Sequence, residues 1–441
     1  MIEQGCIKIL AFGGYPKHMV YAIILFAVTY VFMLVFSKYR PYIALFSALL
    51  FVISGMLPVQ DIIGSIDFNV LLMIAGTMGL VKLFIDSKMP ALLADLVMSR
   101  VPNVQMAAVA LSLFAGIISA FVDNVATVLM VAPVALAICK KLNTNPVPFI
   151  IGIAVSSNLQ GAATLVGDTT AIMLGSYAHM SFLDFFRYKG KPGIFFAVEL
   201  GALVSAAILA ILFRHAKEKI EKDPHRTEVT DYVPSVLLLL SIMLLITASF
   251  IPNKPDITNG LICVTLFAVG LIDSVIKKRS LTALTEPLRA IDFETIGLLL
   301  GLFLMIGGIT NMGVIDAAAD LLAKMGHGNV FLLYTVIIWA SVLISAFIDN
   351  IPYVATMLPV VTGLAGALGI DPTLLYFGLL SGATLGGNCT PIGASANITG
   401  IGILRKEGYT VKNKDFFRIG IPFTLAAIIP AYIYFWVLYG M

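Results

Sequence analysis

The chain has 441 residues, 59% of them hydrophobic and only 12% charged, with mean hydropathy +0.98 and a formal net charge of +3. A soluble globular chain carries about 25% charged residues, so there is too little polar side chain here to cover a water-facing surface, and a polytopic α-helical membrane protein is the class that remains. Four cysteines, Cys6, Cys139, Cys263 and Cys389, fall at no metal-ligand or redox spacing, which argues against a disulfide framework and a zinc site.

A bilayer crossing takes roughly 20 apolar residues at about 1.5 Å each. The first apolar run is followed by no small-residue cleavage site, so it is expected to serve as its own insertion signal. Spans are predicted over 20–37 and 41–58, joined by the basic turn Lys38-Tyr39-Arg40-Pro41, and then over 68–86. Residues 90–100 are amphipathic and read as interfacial. The segment 104–140 is apolar but bent at Asp123-Asn124, and 147–179 is interrupted by Ser156-Ser157-Asn158-Leu159-Gln160-Gly161. A span over 193–213 closes the first half.

Residues 214–231 form the clearly hydrophilic stretch, marked as a linker by Pro224 and mixed charges. Spans follow over 233–251 and 259–276, then a short polar connection from Lys277-Lys278-Arg279 to Arg289. The rest reruns the first half: 293–311, an amphipathic 314–325, a bent 329–366, a broken 373–404 and a last span over 419–438.

The rerun is visible residue by residue. Ser119-Ala120-Phe121-Val122-Asp123-Asn124-Val125 returns 226 residues later as Ser345-Ala346-Phe347-Ile348-Asp349-Asn350-Ile351, and Pro133 returns as Pro359 at the same offset. Ile66-Asp67-Phe68 matches Ile291-Asp292-Phe293 at 225, Thr164-Leu165-Val166-Gly167 matches Thr390-Pro391-Ile392-Gly393 at 226, and Asp184-Phe185-Phe186-Arg187 matches Asp415-Phe416-Phe417-Arg418 at 231. Internal duplication of this kind is common in secondary transporters. The chain is therefore divided into N-terminal transmembrane helices (1–65), a first repeat (66–213), a cytoplasmic linker with connecting transmembrane helices (214–290) and a second repeat (291–441).

Lys and Arg set the orientation. With the 38–40 turn cytoplasmic and the bent segments returning to the side they entered, 20 of the 28 basic residues lie inside, 7 outside, and Lys82 within a span. The inner (cytoplasmic) membrane is the expected location, with 214–231 cytoplasmic. Span 68–86 then runs inward and 293–311 outward, so the repeats are inverted. The cluster Arg187, Lys189, Lys191 runs against the rule and is assigned to an interfacial helix. Charge does not separate a re-entrant hairpin over 104–140 from two crossings; a charged tip favours the hairpin.

Four constellations carry polar chemistry. Arg100 and Asp123 bracket a stretch without charge, as do Asp123 and Lys140, and a charge at mid-bilayer costs at least about 2.5–3.5 kcal/mol. The tips, Asp123-Asn124 with Thr127 and Asp349-Asn350, offer carboxylate, amide and hydroxyl oxygens. The breaks are Asn158, Gly161, Thr164, Gly167, Asp168, Thr169 and Thr170 in the first half, with Asn388, Thr390, Gly393, Ser395 and Asn397 in the second. A Gly-rich break frees backbone carbonyls and amides, tolerated at membrane depth only inside protein or around a wet cavity. Oxygens of this kind suit a hard cation or a proton, while the N-terminus of the following half-helix suits an anionic or polar solute. The plainer alternatives are that Asp123, Asp349 and Asp168 cap helices, that the glycines and hydroxyls serve helix packing, and that Cys389 is a small filler. Glu199, inside span 193–213, is either a proton-relay acid or a paired structural one.

At these motifs the chain resembles the ion transporter superfamily, nearest to its arsenite permease (ArsB), NhaD and melanosomal P-protein branch, related to the dicarboxylate and citrate permeases. The resemblance rests on F-[VI]-D-N-[VI] occurring twice, on Gly161-Ala162-Ala163-Thr164-Leu165-Val166-Gly167-Asp168, and on Gly386 to Ile398 (G-G-N-C-T-P-I-G-A-S-A-N-I). Where the arsenite and P-protein pattern continues G-D-P-P-N, this chain has Gly167-Asp168-Thr169-Thr170, closer to the NhaD type. The resemblance implies an all-α elevator-type transporter of two inverted repeats, each with a re-entrant hairpin and a broken helix. It implies a cation-coupled secondary permease for a small anion or neutral oxy-solute, with a Na⁺/H⁺ antiporter as the alternative, and no enzyme. No cofactor is expected beyond a coupling ion, Na⁺ or H⁺; a sodium ion would sit at Asp123, Asn124, Asp349 and Asn350. The expected partners are the lipid bilayer and a small-molecule or ion substrate, with no nucleic acid; a homodimer is admitted.

Overall fold

The computed structural model describes residues 16–142, 144–220, 226–280 and 282–440. Cys6 and Pro224 lie outside the described residues. The chain is helical almost throughout. Helices α1 (Lys17–Val35), α2 (Arg40–Ile53), α3 (Ile62–Ser65), α4 (Phe68–Asp86) and α5 (Met89–Met98) lead to α6 (Val104–Ser119) and α7 (Asn124–Lys141). The broken segment is α8 (Val147–Gly161) and α9 (Thr169–Tyr177), followed by α10 (Ile194–Leu212). Next come α11 (Val233–Ser249), α12 (Thr258–Lys278) and α13 (Thr282–Arg289). The second half holds α14 (Phe293–Asn311), α15 (Val314–Gly326), α16 (Val330–Ser345), α17 (Asn350–Leu368), α18 (Thr373–Gly386), α19 (Ser395–Lys406) and α20 (Asn413–Tyr439). Among the described residues eight helices are long and apolar enough to cross a bilayer, or nine if a bent pair counts as one span.

Two details depart from the sequence reading. Arg187–Tyr188 and Lys191–Pro192 are the strands β1 and β2 of a tiny antiparallel hairpin, not part of an interfacial helix. Its turn, Lys189-Gly190, has φ of 51° and 81°, the left-handed pair that a two-residue hairpin turn needs and a helix forbids. The polar connection after Arg279 contains the short helix α13.

The chain forms two compact units, each drawn from separate stretches: one from Met1–Asp67, Phe293–Gly328 and Ala355–Ile370, the other from Phe68–Asp292, Asn329–Val354 and Asp371–Met441. In the first unit α2 lies along α14, where a Cβ on Gly301 would stand 2.6 Å from the Ala44 carbonyl carbon. Helix contact in lipid depends on such close backbone approach, because lipid supplies no hydrophobic drive between helices. Polar contacts add to it: Thr29 Oγ1 meets Ser47 Oγ at 2.7 Å, and Tyr30 bonds Thr356.

In the second unit α4 lies along α12 in the same manner, with Gly76 against the Cys263 backbone and the Gly260 N–H donating to Asn69 Oδ1 at 2.8 Å. Helix α10 runs beside α20, tied where Ser205 Oγ donates to Phe423 O at 3.0 Å. The described part of the 214–231 linker also packs here: Val104 N–H donates to Glu218 O at 3.0 Å and Thr227 N–H to Asp95 Oδ2 at 2.8 Å.

Candidate functional site

Every residue singled out in the four constellations falls in the second unit. Its contacts fix how the elements run. Along α6 and α8, Ser112 faces Gly152, Gly116 faces Ser156 and Gln160, and Ser119 meets Ser157 (3.0 Å), so the two helices are parallel. Along α7 and α8, Ser157 Oγ donates to Asn124 O at 3.0 Å, while Val128, Ala154 and Ile150 gather around Gly400 further back, so these two are antiparallel. Residues 104–141 are therefore a helical hairpin whose tip meets the end of α8. In the second half α16 and α18 are parallel, with Tyr334 at Gly378, Ile338 at Gly382 and Val342 at Gly386. Ser341 Oγ on α16 and Tyr353 OH on α17 lie 3.0 Å apart across the two arms of this hairpin.

The two breaks are built alike, residue for residue at the offset of 226. Thr164 Oγ1 donates to Ala120 O, and Thr390 Oγ1 to Ala346 O. A Cβ on Gly167 would stand 2.6 Å from Gly161 O and 2.9 Å from Ser119 O; one on Gly393 would stand 2.6 Å from Gly387 O and 2.9 Å from Ser345 O. Each break thus folds against its own hairpin tip, pinned by a threonine, at a spot where any side chain would collide with carbonyl oxygens. This is why the sequence keeps Thr-x-x-Gly there twice.

A hydrogen-bonded chain of side chains joins the halves. Asn124 Nδ2 donates to Asn158 Oδ1 (3.0 Å), and Asn158 Nδ2 donates to Asn388 Oδ1 (3.0 Å) and to Thr384 O (2.7 Å). Asn388 Nδ2 donates back to Val155 O at 2.9 Å. Pairing of 158 with 384 and of 155 with 388 makes α8 and α18 antiparallel. Asn158 and Thr384 are also each other's counterparts at the 226 offset, so the two halves touch at equivalent residues.

Asp168 anchors the other side. Its Oδ1 accepts from the Thr169 N–H at 2.8 Å, capping α9, and its Oδ2 accepts from Thr170 Oγ1 (2.8 Å) and Asn350 Nδ2 (3.3 Å). Thr170 Oγ1 lies 3.3 Å from Thr384 Oγ1. Asp123 and Asp349 stand at the tips, half-buried. Asp123 Oδ2 accepts from Val125 and Ala126 N–H at 3.0 and 3.2 Å, and Asp349 Oδ1 from Ile351 N–H at 3.2 Å. Asn350, next to Asp349, ties the second tip to Asp168 directly, and neither the tips nor the two broken segments from 147 to 177 and 373 to 397 carry a Lys or Arg. Three acids, amides and hydroxyls without a basic side chain suit a cation or a proton.

The remaining candidates sit around this core. Thr127 donates to Val122 O at 3.4 Å inside its own tip. Asn397 Nδ2 donates to Gly387 O and Thr390 O, both at 3.0 Å, and holds the second break closed. Its Oδ1 is buried with no hydrogen-bond partner. Ser395 opens α19. Among the described residues no group of three or more His, Cys, Asp or Glu could hold a metal ion, so a sodium ion here would draw on amide and carbonyl oxygens besides the acids. Thr384 and Ser157 were not singled out from the sequence; adding 226 to Asn158 would have found Thr384.

The citrate transporter family model matches residues 21–382 and 279–441. The chain belongs to the citrate transporter family. A 46 kDa membrane protein of Mycobacterium leprae is 34% identical over 332 residues, 73% of this chain and 74% of its own. An uncharacterized transporter of Mycobacterium tuberculosis is 31% identical over 95% of this chain and 98% of its own. The human P protein is 26% identical over 85% of this chain and 54% of its own. Among solved structures, the YdaH transporter of Alcanivorax borkumensis superposes with a TM-score of 0.59 over 86% of this chain and 87% of its own, at 13% identity, a likeness of fold. The citrate transporter family member described here is thus a multi-pass membrane transporter with a small-molecule substrate, and not an enzyme.

Proposed function

We propose that the protein is a secondary active transporter that couples a small anion or neutral oxy-solute to an inward or outward flow of Na⁺ or H⁺. The supporting observation is the convergence of two Asp-Asn tips with two broken helices in one buried polar cluster that lacks a basic residue. On this reading Asp123, Asp168 and Asp349, with Asn124 and Asn350, hold the coupling ion. The hydroxyls and amides of Thr164, Thr170, Asn388, Thr390, Ser395 and Asn397 then face the solute. The two halves are inverted repeats, the hairpins are re-entrant, and the unit carrying the whole site moves as an elevator. Because the acids have no basic partner, a multivalent anion would enter only with a bound cation to offset them. The same feature favours a second reading, a Na⁺/H⁺ antiporter in which the acids alternate between the two cations.

Flux into proteoliposomes separates these readings. Citrate, succinate, phosphate and arsenite are each offered with and without Na⁺ and pH gradients. Uphill accumulation of one of them under a cation gradient is the expected result. Dissipation of a pH gradient by Na⁺ alone identifies the antiporter, and gradient-independent flux would overturn both.

A further inference from the structure

Helices α10 and α20 run antiparallel and touch over only part of their length. A Cβ on Gly201 would stand 3.0 Å from Ala427 O, and Ser205 Oγ donates to Phe423 O at 3.0 Å. Toward the start of α10 and the end of α20 they part, and an open groove of about 760 Å³ lies between them. Phe196 and Leu200, one turn apart on α10, form one wall. Ile429, Ile433 and Val437, one turn apart on α20, form the other, and β2 contributes Pro192. All six are exposed. The volume lies in the range of ligand clefts, roughly 300–1,000 Å³.

The mouth of the groove differs from its walls. The β1–β2 hairpin is tied down there: Tyr434 OH donates to Pro192 O and Gly193 O, both at 3.2 Å, and Tyr439 OH donates to Pro192 O at 3.0 Å. Lys191 donates to Leu438 O and stands 5.4 Å from the centre of the Tyr439 ring. Arg187 is directly opposite Pro192 across the strands, which puts both side chains on one face of the pair. The charge of Lys189 is met by Asp371, whereas among the described residues no acid pairs with Arg187 or Lys191, and both are exposed. A backbone carbonyl occupies one of the three ammonium donors of Lys191 and leaves two.

This end of the molecule belongs at the membrane interface. Tyr434, Trp436 and Tyr439 fall in the last two turns of α20, and Trp and Tyr gather at headgroup level. The 27 residues of α20 span about 40 Å, the thickness of a bilayer with its headgroups. The fold does not require the two lysines. At the offset of 231 that relates Arg187 to Arg418, Lys189 and Lys191 correspond to Gly420 and Pro422, where the chain is continuous helix.

An apolar cleft that starts at headgroup level, with two cations at its mouth, is complementary to a molecule that joins a hydrocarbon chain to a phosphate. We propose that the α10–α20 groove binds one anionic phospholipid, with an acyl chain between the helices and the headgroup phosphate between Arg187 and Lys191. A zwitterionic lipid carries the same phosphate, but its own ammonium offsets the charge. A second copy of this chain is a poor occupant, because a two-fold contact through this face sets groove against groove and brings like charges together. Helix α20 also carries Gly420, where a Cβ would stand 2.3 Å from Asn388 O, so the lipid braces a helix on which the second break rests.

The inference does not rest on the transport reading, and its test uses no solute. Native mass spectrometry of the full chain, delipidated in a neutral detergent, counts bound lipid as phosphatidylglycerol or phosphatidylcholine of the same acyl chains is added. One phosphatidylglycerol is expected to bind about thirtyfold tighter than phosphatidylcholine, the size expected of two basic side chains near an anionic group. Arg187→Gln with Lys191→Gln should bring it down to the phosphatidylcholine level. Because Lys191 also holds Leu438 O, Arg187→Gln alone gives a readout independent of that bond, with an expected loss of about fivefold. Val437→Trp, which fills the groove from an exposed position, should abolish the tight site with both cations in place, and Arg289→Gln, at a basic position elsewhere, should change nothing. Inorganic phosphate at millimolar concentration should not displace the lipid. Equal affinity for the two lipids, a full preference kept in Arg187→Gln or in Val437→Trp, or displacement by inorganic phosphate would each overturn the proposal. So would a lipid-free dimer that Val437→Trp dissociates, since it would make a second copy the occupant.

Discussion

At the scale of single residues, the tip acids hold two jobs that a substitution can separate. Asp123 and Asp349 accept backbone N–H bonds at the starts of α7 and α17, as helix caps do, yet a cap needs an acceptor oxygen and not a charge. Asparagine caps about as well as aspartate, whereas alanine costs about 1 kcal/mol. Asp123→Asn and Asp349→Asn should therefore leave membrane-inserted protein and its melting temperature nearly unchanged while reducing ion-coupled flux in proteoliposomes to background. Full flux in both variants would leave the acids as caps and nothing more. Asp168 differs from these two because its counterpart at the 226 offset is Ala394. The halves share their tips and their Thr-x-x-Gly breaks but not this carboxylate, so the site is asymmetric where the scaffold is symmetric.

At the scale of elements, most of the helices were legible as apolar runs of the right length, and the hairpin tips because polar residues interrupt those runs; the first interruption, read at Ser156 to Gly161, is instead continuous helix in α8, and the chain leaves the helix only over residues 162–168. What tertiary packing decides was not legible. The Asn158–Thr384 contact depends on α8 and α18 running antiparallel. The β1–β2 hairpin was hidden because Lys189-Gly190 is not one of the Asn-Gly or Asp-Gly pairs that announce a two-residue turn, and the positive φ of both residues is visible only in the structure. That turn has a partner: Lys189 pairs with Asp371, which also caps α18 by accepting from the Thr373 N–H at 2.9 Å. Partial burial works against the Asp371 charge, but the Lys189 ammonium and Thr373 outweigh it and hold the carboxyl below the ordinary carboxylate range. A lowered folded value means that the stabilisation is present above the unfolded value of about 3.9 and is lost as pH falls through the folded one. Asp371→Asn keeps the cap and removes the charge. It should lower the melting temperature slightly at neutral pH, the pair being half exposed and screened. The difference from the wild type should close below about pH 4; a difference that persists in acid would mean that the charge is not what α18 loses.

At the scale of the whole molecule, the duplication reaches further than the motifs that disclosed it. Helix α2 lies along α14 in one unit as α12 lies along α4 in the other, with Gly301 on Ala44 in the first pair and Gly76 on Cys263 in the second. Gly76 and Gly301 are themselves 225 residues apart, the offset of the Ile-Asp-Phe matches, and on that likeness we propose that α2 and α12 are counterparts as well. Within the second unit the counterparts α8 and α18 are antiparallel, which carries a membrane consequence. The loop after α9, at Arg187, and the loop after α19, at Lys406, should open on opposite faces of the bilayer. Both side chains are exposed. The basic-residue count puts Lys406 inside and Arg187 outside, although Arg187 belongs to the cluster that runs against that rule. In a background with the native cysteines replaced, Arg187→Cys should react with a membrane-impermeant maleimide on intact cells, and Lys406→Cys only after permeabilisation. Reaction of both from the same side would break the inverted arrangement. Reaction in the reverse sense would keep the inversion and turn the whole molecule over, making the 187–191 cluster cytoplasmic and the 214–231 linker external.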